Sequence, residues 1–257
     1  MKNAILFILF LCYAISSIAQ KSVVNNLTTF DDKRLHFGFT LGINAFDFGI
    51  SHYPTIGDGP YGELEPDPQL SDPNSITNDD VIRADLSKLV PGFSVGIVSS
   101  LRLHNYFDLR FLPGMSFGER RLVYNIPIYD SNSDYYAEGD EFYSIKSTFL
   151  DFPLLIKYKS NRINNQKPYL LAGGSYRIDI SKTGVEDLVR LKRGSFHAEL
   201  GIGWDSYLQF FRLSTEFKVS LGLNNILDTP GEGQLQYYGY AFDRLTSNVF
   251  TLSFHFE

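Results

Sequence analysis

Eight segments of the chain alternate apolar and polar residues with a period of two, and almost nothing in it repeats with a helical period. Such alternation marks strands with two different faces. The segments run from Leu35 to His52, Gly92 to Leu103, Tyr106 to Gly118, Leu150 to Tyr158, Tyr169 to Asp179, Phe196 to Asp205, Arg212 to Leu221 and Asn248 to Glu257. In the first, Phe37, Phe39, Leu41 and Ile43 oppose Gly38, Thr40, Gly42 and Asn44, after which the apolar parity switches to Phe46, Phe48 and Ile50. A switch of that kind predicts a bulge.

The connections alternate in length as well. Short ones centre on His104-Asn105, on Ser160 to Gln166 and on Ser206 to Gln209, whereas long ones span roughly Tyr53 to Val90, Glu119 to Tyr143, Ser181 to Gly194 and Asn224 to Thr246. An even strand number with short turns at one end and long loops at the other is the pattern of an outer-membrane barrel, with both termini on the periplasmic side. A soluble sandwich gives no reason for it. The long loops are acidic: the first holds Asp58, Glu63, Glu65, Asp67, Asp72, Asp79, Asp80 and Asp85 against Arg83 and Lys88. No calcium-loop spacing accompanies these carboxylates, so they read as solvated. Lys159, Arg162 and Lys167 are assigned to the short turns.

Composition closes off other classes. An aromatic content of 15% excludes a disordered chain, and a net charge of −6 argues against a nucleic-acid binder. A mean hydropathy of −0.11 without a late apolar run argues against spanning helices. At the N-terminus, Met1-Lys2-Asn3, the apolar run Ala4 to Ile15 and Ser17-Ile18-Ala19 form a secretory signal cut after Ala19. The sole cysteine, Cys12, lies within that run behind Leu11, which disfavours lipidation. The expected organisation is a signal peptide over 1–19, a periplasmic tail over 20–34 and a barrel over 35–257.

The fold class is all-β: an eight-stranded, antiparallel, up-and-down transmembrane β-barrel, of the size of OmpA- and OmpX-type barrels. Such a barrel is just wide enough inside to be filled by side chains. Its predicted lumen face carries Arg102, Arg110, Lys157, Arg177, Arg212 and Lys218 against Asp108, Asp151, Asp179, Glu199, Asp205 and Glu216. Charges in so narrow a space must be paired, so the balance predicts a cross-linked plug instead of a channel. Read as acid–base pairs, Glu199, Asp205 and Glu216 are outweighed by basic residues at matching depths.

Five histidines (His36, His52, His104, His197 and His255) show no zinc-ligand spacing. Ser51-His52 is the one candidate for an outer-membrane acyl hydrolase, without a nucleophile motif beside it. No catalytic residue, metal or cofactor is expected. The final strand places Leu252, Phe254 and Phe256 on the lipid face and resembles the signal read by the barrel-assembly machinery.

Several stretches are similar to the PorT family of outer-membrane barrels in type IX secretion: Leu35-His-Phe-Gly-Phe-Thr-Leu-Gly-Ile-Asn-Ala-Phe-Asp-Phe-Gly49, Pro91-Gly-Phe-Ser-Val-Gly-Ile97, Leu109-Arg-Phe-Leu-Pro-Gly114, Phe149-Leu-Asp-Phe-Pro-Leu-Leu-Ile-Lys157 and Lys167-Pro-Tyr-Leu-Leu-Ala-Gly-Gly174. The H-F-G-F and R-F-L-P-G elements point to PorT itself; the D-F-P-L-L-I-K-Y and P-Y-L-L-A-G-G elements belong to a broader group. The resemblance implies a non-enzymatic accessory for export of proteins with C-terminal secretion domains, and for gliding motility where that occurs. It implies other secretion subunits as partners, in the outer membrane of a gram-negative bacterium. The family brings no catalytic residues. The alternatives are a stand-alone barrel for adhesion or envelope stability, and a lipid-modifying enzyme.

Overall fold

A computed structural model describes residues 24–59, 79–125, 142–181, 189–228, 238–239 and 241–257. The expected signal peptide lies outside them. Ten strand segments occur among these residues: β1 (Leu35–His52), β2 (Ala84–Leu89), β3 (Pro91–Arg102), β4 (Phe107–Phe111), β5 (Gly114–Tyr124), β6 (Tyr143–Lys159), β7 (Gln166–Asp179), β8 (Gly194–Tyr207), β9 (Arg212–Gly222) and β10 (Phe242–Phe256). All pairings are antiparallel between neighbours, and β1 pairs with both β10 and β3, so the sheet closes on itself.

The ten segments form eight staves. β4 and β5 share the partners β3 and β6 and are halves of one stave, broken at Leu112-Pro113. Pro113 cannot donate a ladder hydrogen bond; its carbonyl accepts from Ile97 N at 2.9 Å, and Leu112 N donates to the Pro153 carbonyl at 3.2 Å. The backbones pack closely there, since a Cβ on Gly96 would stand 3.0 Å from Gly114 Cα. β2 and β3 are likewise one stave, interrupted at Val90, and both pair with β5. The short turns and both ends of the described chain lie at one end of the barrel, the long connections at the other.

Outward and inward positions divide as the alternation predicts over most of the wall. Phe39, Ile97, Ile156, Leu200 and Phe217 are exposed on the outside, while Arg110, Lys157, Glu199 and Asp205 are buried inside. The outward apolar rows run from Leu150 to Tyr158 on β6 and from Phe196 to Trp204 on β8. That is close to the ~9–11 residues a tilted strand needs to cross hydrocarbon.

Towards the long-loop end this polarity inverts. Inside stand Phe46, Phe48, Leu122, Tyr124, Phe149, Leu245 and Val249, all buried. Outside, on the same strands, stand Asp47 and Ser51, Glu119 and Arg121, Ser144 and Lys146, and Thr246 and Asn248. The inversion corrects the expected bulge after Ile43. The β1–β10 ladder runs unbroken from Phe39 to Ser51, with a register shift only at Ser51/His52. Phe46 and Phe48 stay on the inward parity; what changes is the solvent outside, from lipid to water. It also corrects the loop boundaries. Ala84–Leu89, 119–124, Tyr143 and 242–246 are strand, not loop, and β6 and β10 begin at Tyr143 and Phe242, ahead of the expected Leu150 and Asn248; these stretches form an aqueous collar above the lipid-facing wall.

Candidate functional site

The interior is filled in four layers, beginning at the short-turn end with a strap. Residues 24–34 of the expected tail lie folded across the mouth. Asn26 N donates to Asn165 Oδ1 at 2.9 Å, Arg162 Nη2 donates to the Asn26 carbonyl at 2.5 Å, and Asn165 Nδ2 donates to the Val24 carbonyl at 2.9 Å. A single turn of 3-10 helix (Phe30–Asp32) then drops two side chains into the opening. Phe30 stacks on His36 with ring centroids 4.2 Å apart and lies 4.7 Å from the Arg212 guanidinium. The Asp31 carboxylate accepts from Lys167 Nζ at 3.0 Å and from Tyr207 OH at 2.9 Å. Burial raises the Asp31 pKa, but the Lys167 hydrogen bond and charge, with the Tyr207 hydroxyl, outweigh it and hold the group below its ordinary value of 3.8.

Above the strap lies the charge lattice. Lys157 Nζ donates to both Asp205 oxygens, at 2.8 and 2.7 Å, beneath the Tyr169 ring. Arg212 binds Glu257 at 2.5 Å, and Arg110 bridges Glu257 at 3.3 Å and Glu216 at 2.9 Å. Glu216 Oε2 also accepts from Tyr169 OH at 3.1 Å and lies 3.2 Å from His255 Nε2. Next come Glu199, held by Lys218 at 2.7 Å and Arg177 at 3.3 Å, and Asp151, held by Arg177 at 2.7 Å and by the Ser116 hydroxyl. Ions taken out of water are stable only when paired and hydrogen-bonded, and these contacts supply the partners.

Ten of the twelve lumen charges read from the alternation are thus paired inside, in three groups: Lys157, Asp205, Arg212, Arg110 and Glu216 in one, Lys218, Glu199, Arg177 and Asp151 in a second, and Asp108 with Lys159 at 2.6 Å. Two do not join them. Arg102 lies at the mouth, where it donates to the Asp31 carbonyl and to Asn105 Oδ1 at 2.7 Å. Asp179 lies at the other end and caps Ser181 N at 2.8 Å. Lys159 and Lys167, assigned to turns, are instead 3% and 6% exposed inside the mouth. Continuing the parity of Lys157 and of Tyr169 one step further finds both. The parity of His255 likewise carries Glu257 inward, whereas Asp31 carried no sequence signal, since it lies before the first strand.

The third layer is a box around Arg120. This fully buried guanidinium lies 5.0 Å from the Phe46 ring centroid, 4.3 Å from Phe48 and 5.3 Å from Phe149. Its Nη2 donates to Ser247 Oγ at 2.5 Å and its Nη1 to Ser147 Oγ at 3.4 Å. The fourth layer is an apolar cap of Phe48, Ile56, Ile82, Leu122, Tyr124, Val189, Ile226, Tyr238, Phe242 and Leu245. Within the charge lattice the lumen keeps a polar cavity of about 50 Å³ beside Asp151, Glu216 and His255, room for a few waters. A far larger concavity, about 700 Å³, lies on the outer wall against Ile156, Leu170, Leu200 and Phe217.

The Ser51-His52 candidate does not assemble. The Ser51 hydroxyl is 3.5 Å from Asp243, while His52 Nε2 accepts from Ala84 N at 3.0 Å. Glu199, Asp205 and Glu216 are each committed to cations. Leu252, Phe254 and Phe256 occupy the outward face as expected, with Phe256 stacked on Phe39 at 4.7 Å across the seam that closes the ring.

No curated protein sequence matches the chain. Among solved structures, Neisserial surface protein A aligns at 10% identity over 87% of this chain and 99% of its own, with a TM-score of 0.42. Ail, the attachment invasion locus protein of Yersinia pestis, in complex with the heparin analogue sucrose octasulfate, aligns at 10% identity over 87% and 99%, with a TM-score of 0.36. The outer membrane protein AlkL aligns at 9% identity over 92% and 91%, with a TM-score of 0.33. The family described as outer membrane protein beta-barrel domain matches residues 18–228. The closed ring fits that description, and the family implies the outer membrane of a gram-negative bacterium. This chain belongs to the outer membrane protein beta-barrel domain family.

Proposed function

We propose that this barrel is a non-catalytic accessory of type IX protein secretion, acting through protein contacts on its surfaces, with both termini periplasmic and the long loops outside. The observation that carries the reading is the filled lumen: strap, charge lattice, aromatic box and apolar cap succeed one another along the axis. A barrel of this kind has no conduit to offer, so its contribution to export has to be made by its faces. The resemblance of Leu35 to Gly49 and Leu109 to Gly114 to the PorT family supplies the pathway. Those stretches form β1 and the broken stave β4–β5, which flank β3 in the ring. The partners are other secretion subunits and outer-membrane lipid, with the barrel-assembly machinery engaging the final strand during insertion; nucleic acid is not among them.

A clean deletion tests the reading. Cargo bearing C-terminal secretion domains should accumulate in the periplasm and vanish from the medium while other barrels remain at normal levels. Unchanged export would remove the secretion role and move the stand-alone adhesion or envelope-stability role to first place. Orientation is tested separately, by cysteine labelling of intact cells at Asp58 and at Asn161 in turn; only the first should react with an impermeant reagent.

A further inference from the structure

On one side of the barrel the apolar wall ends beneath a set of cations. A single hydrogen-bonded row links Met115, Leu150, Ile178 and Gly194 across β5, β6, β7 and β8. Beyond it, towards the long-loop end, stand Arg121 on β5, six residues past Met115, Lys146 on β6, four past Leu150, and Lys192 just before β8; Arg193 keeps the inward parity of Asp179, whose N donates to the Arg193 carbonyl at 2.7 Å. Lys146, Lys192 and Arg193 are exposed. Among the described residues Glu119 stands with them, facing Lys146 in register, and its Oε1 accepts from Arg121 Nε at 2.6 Å and from the Ser144 hydroxyl at 3.1 Å; Asp179, beside Arg193, is turned to Ser181 N instead. The Arg121 guanidinium rests 4.5 Å from the Phe142 ring centroid, which holds it against the wall. On the opposite side, β1 and β10 carry Asp47 and Asp243 alongside Arg244 at this end of the wall. Among the described residues these cations are therefore gathered over β5–β8, in a chain whose net charge is −6.

We propose that this sector binds the phosphorylated headgroup of the glycolipid that fills the outer leaflet, through Arg121, Lys146 and Lys192. Position and charge both select that occupant. The cations stand at the level where hydrocarbon gives way to water, which is where headgroup phosphates lie, and guanidinium and ammonium groups are the donors that phosphate recognition uses. Glu119 engages Arg121 through Nε and thereby aims the rest of the guanidinium. The assignment to the outer leaflet rests on the orientation proposed above.

The full chain, purified in zwitterionic detergent, is titrated with lipid A, with dephosphorylated lipid A and with phosphatidylglycerol, and bound lipid is read by native mass spectrometry. Detergent binding does not depend on orientation, so a failure here and a failure of loop labelling are distinct. Lipid A should bind more tightly than either of the others. The double variant Arg121→Gln/Lys146→Gln should lose on the order of tenfold in lipid A affinity while keeping the heat-dependent gel shift of a folded barrel. Equal binding of the dephosphorylated lipid overturns the proposal, as does equal binding of phosphatidylglycerol or an unchanged double variant. The lipid comparison uses the unaltered chain, so it decides the matter even if the variant does not fold.

Discussion

Buried cations in this lumen fall into two kinds, and replacing them should have different consequences. Arg110 stands between Glu216 and Glu257, so Arg110→Met leaves two buried carboxylates short of a partner. Breaking a buried pair from one side costs about 3–5 kcal/mol, and urea unfolding in vesicles should show a loss of that order. Arg120 is held by three aromatic rings and two serines, not by a carboxylate contact. Arg120→Met keeps the stacked bulk and forfeits a cation–π contribution of about 2 kcal/mol, so the same assay should give the smaller loss. Asp31 provides a pH reading. Its pKa is lowered on folding, so its contribution to strap docking is present above the unfolded value of 3.8 and is lost as pH falls through the lower folded value. Amide exchange at Asn26 and Phe30 should be slow above that window and fast below it, and fast throughout in Asp31→Asn. The paired lumen charges were legible because strand parity fixes which way a side chain points. Arg120 was not, because its parity carries a charge where its neighbours on the same side, Leu122 and Tyr124, are apolar.

At the level of strands, one period serves two solvents. Below the boundary a residue such as Leu200 or Phe217 faces hydrocarbon, and an arginine there should cost about 2–4 kcal/mol near mid-bilayer. Above it the outward positions face water, so Ser51→Arg should unfold at the parent's urea concentration, whereas Leu122→Arg should destabilise by burying an unpaired charge. Reversal of the sensitive face within one stave, Phe117 against Glu119 on β5, is the measurement that identifies the boundary. Eight staves and their lipid faces could be read from the sequence, because each has a long apolar row on one parity. The collar could not. Over 119–124 and 143–149 a row that had faced outward becomes polar, and alternation read for its apolar parity ends where the apolar residues change sides. The broken stave read as one strand because Leu112-Pro113 leaves the parity of Phe111 and Met115 undisturbed.

For the whole molecule the layered interior predicts electrical silence. The purified barrel in planar bilayers should show no ion conductance, and deletion of residues 20–34 should not create one, because the lattice around Glu216 and the cap around Leu122 remain in place. Steps of stable conductance from the parent would contradict a filled lumen. Heat-dependent migration on gels should persist in the truncated chain, since every ladder of the ring lies within Leu35 to Phe256.

The change of solvent partway along each stave also sets the height at which the barrel floats. Sinking by two residues would press Asp47, Glu119 and Lys146 into oil; rising by two would lift Phe117 and Leu150 into water. Both displacements are opposed at once, on several strands, by side chains fixed to a closed ring. A vessel so ballasted has one draught. Whatever docks on its crown is therefore held at a fixed distance above the bilayer, and a neighbouring complex could use that crown as a reference level.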